Sequence, residues 1–143
     1  MPGKMTKEEA YAYLDSRPGM MVLTTIGRDG FPHSVPLGYF RLAEDVYLGG
    51  RNSTQRVKNV QRGNTKVAVL LDSGSALKDL KGLLIQGDAE LITDAQETLR
   101  LMREGARWRG TPVEQWPKEA RPDVAYIKVK PRRFISWDYS KES

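Results

Sequence analysis

Apolar and polar positions alternate in short runs along most of this chain, a pattern that predicts strands for the greater part of its length. Met20 to Ile26 reads as a buried strand, Gly27-Arg28-Asp29-Gly30 as a turn, and Phe31 to Phe40 as a second strand paired to the first. Pro32 and Pro36 interrupt that second strand and remove ladder donors, which places it at a sheet edge, at a bulge, or against a ligand. After the turn Leu42 to Asp45 come a third strand, Val46 to Gly49, and a fourth, Lys66 to Asp72. A polar loop, Ser73 to Lys81, leads to a fifth strand, Gly82 to Ile92, with Gly87 marking a bulge or a close backbone approach. Val124 to Lys130 and Phe134 to Asp138 close the chain as two strands on either side of Pro131-Arg132-Arg133.

Helical periodicity appears in three places. Thr6-Lys7-Glu8-Glu9 has the spacing of a capping box, and Ala10, Tyr13 and Leu14 mark one face of a helix that ends before Pro18-Gly19. Thr54 is a good N-cap for a short helix whose buried edge is Val57 and Val60. Thr93-Asp94-Ala95-Gln96 repeats the capping-box spacing, followed by an apolar stripe of Ala95, Leu99, Met102 and Ala106 on a helix running to about Gly105. Ala106 to Pro122 holds two Trp and several Pro and Arg residues in no regular pattern and is expected to be irregular. Consecutive hairpin-like strands with two or three short helices inserted predict a mainly β chain, an antiparallel barrel of six or seven strands, in a single domain covering 1–143.

Composition narrows the chemistry. The 143 residues include no Cys and one His. That excludes disulfides, thiolate metal sites and cysteine nucleophiles, and leaves a catalytic triad or a histidine metal site only through His33, which reads as a surface or turn residue. No metal site is expected. No apolar run approaches the roughly 18 residues needed to span a membrane, and the first ten residues have no leader-type apolar core. We therefore expect a soluble, cytoplasmic protein.

Charge adds a location. Between Arg51 and Lys66 lie five cationic residues (Arg51, Arg56, Lys58, Arg62, Lys66) and no acidic one, so the formal charge of this stretch equals the +5 of the whole chain. Arg56 falls in the first turn of a helix, where unpaired backbone N–H groups already favour negative charge, and Gly49-Gly50 permits close backbone approach. A phosphate suits that corner. The same basic groove with nearby aromatics is compatible with single-stranded nucleic acid, but 18 acidic residues dilute the 23 basic ones and put that reading second. A chain with few reactive side chains and a prepared anion corner suits a protein that positions an organic cofactor and leaves the reaction to it.

The ordered set LTTIGRDGFPHSVPLGYF, VYLGG, STQRVKNVQRGNTKVAVLLD, KGLLIQGDAELITD and YIKVKPRRFISWD resembles the pyridoxamine 5'-phosphate oxidase-like split-barrel flavoproteins over nearly the whole chain. The resemblance implies a split barrel, a homodimer, and a flavin, FMN or the deazaflavin F420, in a groove at the subunit interface. By position, it implies that Ser34, Val35, Pro36 and Leu37 pass along the ring system and that Leu48, Gly49 and Gly50 line it. Thr54, Gln55, Arg56 and Lys58 form the phosphate segment, with Arg62 a further candidate. Gln86 and Trp137 would approach the flavin of the neighbouring subunit. The chain has Thr54-Gln55-Arg56 where the oxidase proper has Ser-Arg-Lys, and no Arg/His substrate segment follows Trp137. Arg56-Val57-Lys58-Asn59 instead resembles the short reductase-like members. The implied activity is hydride transfer between the cofactor and a small planar substrate, with no catalytic side chain assigned; the alternative within the same fold is a cofactor or haem carrier.

Overall fold

The computed structural model describes residues 2–141. Seven strands form one antiparallel sheet: β1 (Met21–Ile26), β2 (Pro32–Leu37), β3 (Phe40–Leu42), β4 (Asp45–Arg51), β5 (Lys66–Ser73), β6 (Lys81–Ile92) and β7 (Val124–Asp138), in the order β2-β1-β5-β6-β7-β4-β3. The two edge strands, β2 and β3, are separated in sequence by Gly38 and Tyr39 alone. The sheet must therefore curl until its edges nearly meet, which makes a barrel split along one seam. Three helices accompany it: α1 (Lys7–Asp15), α2 (Gln55–Gln61) and α3 (Ala95–Trp108).

Seven strands are present, as the alternation predicts, but they are divided differently. The expected strand Phe31 to Phe40 breaks at Gly38-Tyr39, where the chain passes from one sheet edge to the other. The two expected C-terminal strands are one, β7, continuous through Pro131. Its register against β6 shifts between Gln86 and Gly87, because Gln86 pairs with Arg133 and Gly87 with Pro131, leaving Arg132 as the extra residue of a bulge. Gly87 is required there: a Cβ would overlap the Lys130 carbonyl oxygen and lie 3.0 Å from Val129 Cγ1. Pro32 and Pro36 lie in edge strand β2, where a missing donor costs least.

Alternation along the strands fills the barrel with Met21, Leu23, Val46, Leu48, Val67, Val69, Leu71, Leu83, Ile85, Ile127 and Val129, all buried. Helix α1 covers this core through Ala10 and Leu14. Its capping box is complete, with Glu9 N–H donating to Thr6 Oγ1 and Thr6 N–H to Glu9 Oε1. Helix α3 packs on the outer surface of β3, β4 and β7, where Leu101, Phe40 and Tyr47 form a second cluster. It starts one residue later than the capping-box spacing predicts, because the Asp94 carboxylate accepts from Glu97 N–H and serves as the N-cap. Its buried face is Thr98, Leu101, Gly105 and Ala106, so that of the predicted stripe Ala106 is buried, whereas Ala95 is exposed and Leu99 and Met102 are half-buried. Ala106 to Pro122 is helical only to Trp108, with a single 3-10 turn at Val113–Gln115 beyond it. Among the described residues, no helix is long and apolar enough to cross a membrane.

Candidate functional site

Helix α2 and the segment before it organise the site. Val57 and Val60 are buried and seat the helix across the end of the barrel against β1 and β6. Asn59, 0 % exposed, lies between them; its amide donates to Thr25 Oγ1 at 2.9 Å and its oxygen accepts from Gln55 Nε2 at 2.8 Å. That polar pair in the core fixes the helix rotation, since any other angle would bury an unpaired amide. With α2 so fixed, Arg56 turns back over β4. Its guanidinium lies against Gly50, close enough that a Cβ there would overlap Nη2 and sit 3.2 Å from Cζ.

Arg56 is half-buried, and burial pushes its pKa down. Among the described residues, no carboxylate pairs with it and no side-chain hydrogen bond satisfies it. A partly desolvated guanidinium with no counter-charge is costly unless an anion comes to it. Thr54 is the N-cap residue of α2, as predicted from its type, but its hydroxyl donates to Arg51 O at 3.0 Å and makes no capping bond. The first-turn N–H groups of α2 are therefore not met by the cap side chain.

The predicted site residues divide into three groups. Gly50 and Arg56 meet at the end of β4 and the start of α2, with Gly49 and Thr54 flanking them in the chain. Gly49 packs against the Tyr126 ring, with a hypothetical Cβ 2.5 Å from Cε1. Lys58 does not join them: two residues on from Arg56 it lies about 200° around a helix of 3.6 residues per turn, and it is exposed. Leu48 is a core residue at 1 % exposure, because alternation along β4 turns it inward opposite Ile127, and its side chain does not join this group.

A second group surrounds the β1–β2 hairpin. Gln55, Asn59 and Arg62, on one side of α2, face Arg28, Phe31, Pro32 and His33 across a cleft of about 680 Å³. His33 is not the surface or turn residue expected from its neighbours. It is half-buried within β2, and its Nδ1 is a buried polar atom without a partner among the described residues. Nothing in the sequence distinguished it; the edge-strand placement that follows from the prolines was the available signal. Phe31 stands at the rim, 72 % exposed.

The third group lies on the outer face of the sheet. The registers place Ser34, Thr24, Ala68, Gln86 and Arg133 in one cross-strand row, and Pro36, Val22, Leu70, Leu84 and Ile135 in the next. Ser34 and Thr24 hydroxyls are 2.8 Å apart. Val35, next to them, and Leu37 are half-buried on the opposite side, with Leu37 packed on the core. Trp137 belongs to this outer face too, its ring lying over Gly82, where no Cβ would fit. Helix α3 covers the outer surface only at the β3, β4 and β7 end, so this half-exposed apolar row has no covering element among the described residues. Gln86 and Trp137 thus stand beside an uncovered face, on the same side as Ser34 and Pro36. Among the described residues, no group of three or more acidic or histidine side chains is placed to hold a metal ion.

The family model for pyridoxamine 5'-phosphate oxidase matches residues 6–138. Among solved structures, the conserved hypothetical protein Rv2991 of Mycobacterium tuberculosis aligns with a TM-score of 0.81 at 23 % identity, over 96 % of this chain and 87 % of that one. A structure described as an F420 reductase aligns at 0.65 and 21 % identity, over 86 % and 94 % of the two chains. HutZ, described as a haem storage protein of Vibrio cholerae, aligns at 0.65 and 15 % identity, over 92 % and 94 %. At these identities the likeness is one of fold. No curated protein matches the sequence.

Proposed function

The chain belongs to the pyridoxamine 5'-phosphate oxidase family, and from that premise we infer that it is a flavin-dependent oxidoreductase, using FMN or F420 to exchange hydride with a small planar substrate. The observation that carries this reading is the half-buried, unpaired Arg56 guanidinium seated on Gly50 beside the start of α2. The residues present fit a phosphate-bearing cofactor. Arg56 would supply charge-assisted donors, and the open first turn of α2 would supply backbone N–H groups. Gly50 keeps the floor low enough for the guanidinium to lie flat. When bound, a flavin or deazaflavin supplies a ring that accepts or donates hydride.

The chain's own residues position and desolvate. Ser34, Thr24 and Gln86 offer neutral hydrogen-bonding groups on the outer face, and Val22, Leu70, Leu84 and Ile135 offer apolar surface beside them. In this reading, a second copy of the chain covers that face, giving a homodimer with the cofactor between subunits. Trp137 and Gln86 then meet the neighbour's cofactor. An uncovered apolar row beside the polar groups is what such an interface needs.

His33 favours one other reading, a haem carrier, because it is the one imidazole of the chain and lines the cleft beside the β1–β2 hairpin, and an imidazole nitrogen is an iron ligand. The same experiment separates the two. FMN, F420 and haem are each titrated into the purified protein while the visible spectrum is recorded. The flavin reading expects a perturbed flavin or deazaflavin band, and a haem Soret band lost in His33→Ala, with no flavin binding, would replace it.

A further inference from the structure

The bulge between β6 and β7 creates a cleft that the phosphate corner does not use. In a regular strand, neighbouring side chains point to opposite faces, so the pair Arg132-Arg133 should be divided between the two sides of the sheet. The extra residue at the bulge changes that: Arg132 and Arg133 both line one cleft of about 460 Å³ on the outer face, together with Lys66, Thr24, Ala68 and Gln86. Three cationic side chains stand there against one carboxylate, Asp88. That carboxylate is shared between Arg132 Nε at 3.5 Å and Lys66 Nζ at 3.9 Å. Arg133 has no ion pair or side-chain hydrogen bond among the described residues. The floor is apolar, from Ala68 and Ile26, with Gln86 beside Arg133 across the ladder.

A cationic end on an apolar floor selects a ligand that is flat and apolar over most of its area and carries an anion at one edge. We propose that this cleft is a carboxylate-binding subsite, and that the planar substrate of this protein is therefore an organic acid held through Arg133, with Arg132 and Lys66 adding field. The carboxylate would take the guanidinium edge of Arg133, which presents parallel N–H donors in its plane. The ring would lie along Ala68 and Thr24 toward Ser34, the row on which the outer-face hydrogen-bonding groups stand. Asp88 keeps Arg132 and Lys66 only loosely occupied, at distances where both still face an incoming anion. This assignment of substrate class rests on the flavin-dependent reading above.

The test compares two probes of the same shape, 2-naphthoate and the uncharged 2-naphthamide, bound to the full-length protein and followed by amide chemical shifts in NMR. Naphthoate is expected to bind at least about tenfold more tightly, the ratio that one charge-assisted hydrogen bond gives, and to shift Thr24, Ala68, Gln86 and Gly87. In Arg133→Gln the preference should fall to within about twofold, while a charge-neutral change outside the cleft, Gln61→Ala, leaves it intact. Equal affinity of the two probes for the unaltered protein, or shifts confined to Gly50, Thr54 and Arg56, would overturn the proposal without any variant being needed. FMN and F420 are titrated in parallel: cofactor binding without naphthoate preference defeats this inference alone, and naphthoate preference without cofactor binding defeats the reading on which it rests.

Discussion

Arg56 carries the site because it combines three properties that separately mean little: a guanidinium, partial burial, and no carboxylate to meet it. The burial has a specific origin in Gly50, so the pair can be tested as a pair. Arg56→Ala should weaken FMN or F420 binding by about 1.5–3 kcal/mol, the range of a hydrogen bond to a charged group. Gly50→Ala should weaken it comparably by forcing the guanidinium aside. Only the end of a flexible side chain has to move, so thermal unfolding should shift little in the glycine variant. Normal cofactor affinity in Gly50→Ala would show that the observed seat of Arg56 is irrelevant to binding. The Gly-Gly pair and the run of cations made this corner legible in the sequence. Asn59, His33 and Arg133 were not legible, because their roles depend on partners far away in the chain: Thr25 for Asn59, the cleft wall of α2 for His33, and the bulge for Arg133.

At the scale of elements, local rules located α1, and its capping box also links the two ends of the chain. Glu9 receives the Thr6 N–H and pairs with Lys141, which follows β7. The Lys141 hydrogen bond, with the Thr6 backbone bond next, lowers the Glu9 pKa from 4.5 to about 2. A carboxyl whose folded-state pKa is depressed contributes stability that is present above its unfolded pKa and lost as pH falls through the folded value. Stability should therefore decline between about pH 4.5 and 2 partly on account of Glu9. In Glu9→Gln that part of the acid limb should flatten, as followed by urea unfolding at a series of pH values; an unchanged limb would remove Glu9 from the account. Element boundaries were less legible than element types. Periodicity does not reveal the break at Gly38-Tyr39, and at Pro131 it misleads the other way: the inward positions change phase from Ile127 and Val129 to Phe134 across the bulge, which reads as a break although the strand is continuous. Sheet topology decides both, since β2 and β3 are opposite edges whereas β7 pairs with β6 along both of its halves.

The whole molecule has an asymmetry of cover. α1 closes the core and α3 closes the outer surface of β3, β4 and part of β7, leaving the row Val22, Leu70, Leu84 and Ile135 half-exposed. The proposed homodimer buries this row, and Leu84→Lys at its centre should shift the protein from dimer to monomer in sedimentation and lower cofactor affinity with it. An unaltered protein that is monomeric at micromolar concentration and still binds cofactor fully would contradict the shared-site arrangement. The barrel itself was legible from strand spacing, but which half of its outer face lies open was not, because that depends on where α3 packs, and its Leu101 meets Phe40 and Tyr47 far away in the chain.

The central claim is that Arg56 and the start of α2 form the phosphate site of a flavin or deazaflavin. Its most direct test is an absorbance and fluorescence titration of FMN and F420 into the unaltered protein, Arg56→Ala and Arg28→Ala. The account predicts saturable binding of one of the two cofactors, a loss of about 10- to 100-fold in Arg56→Ala, and almost none in Arg28→Ala. Binding of neither cofactor, or equal losses in the two arginine variants, would contradict it.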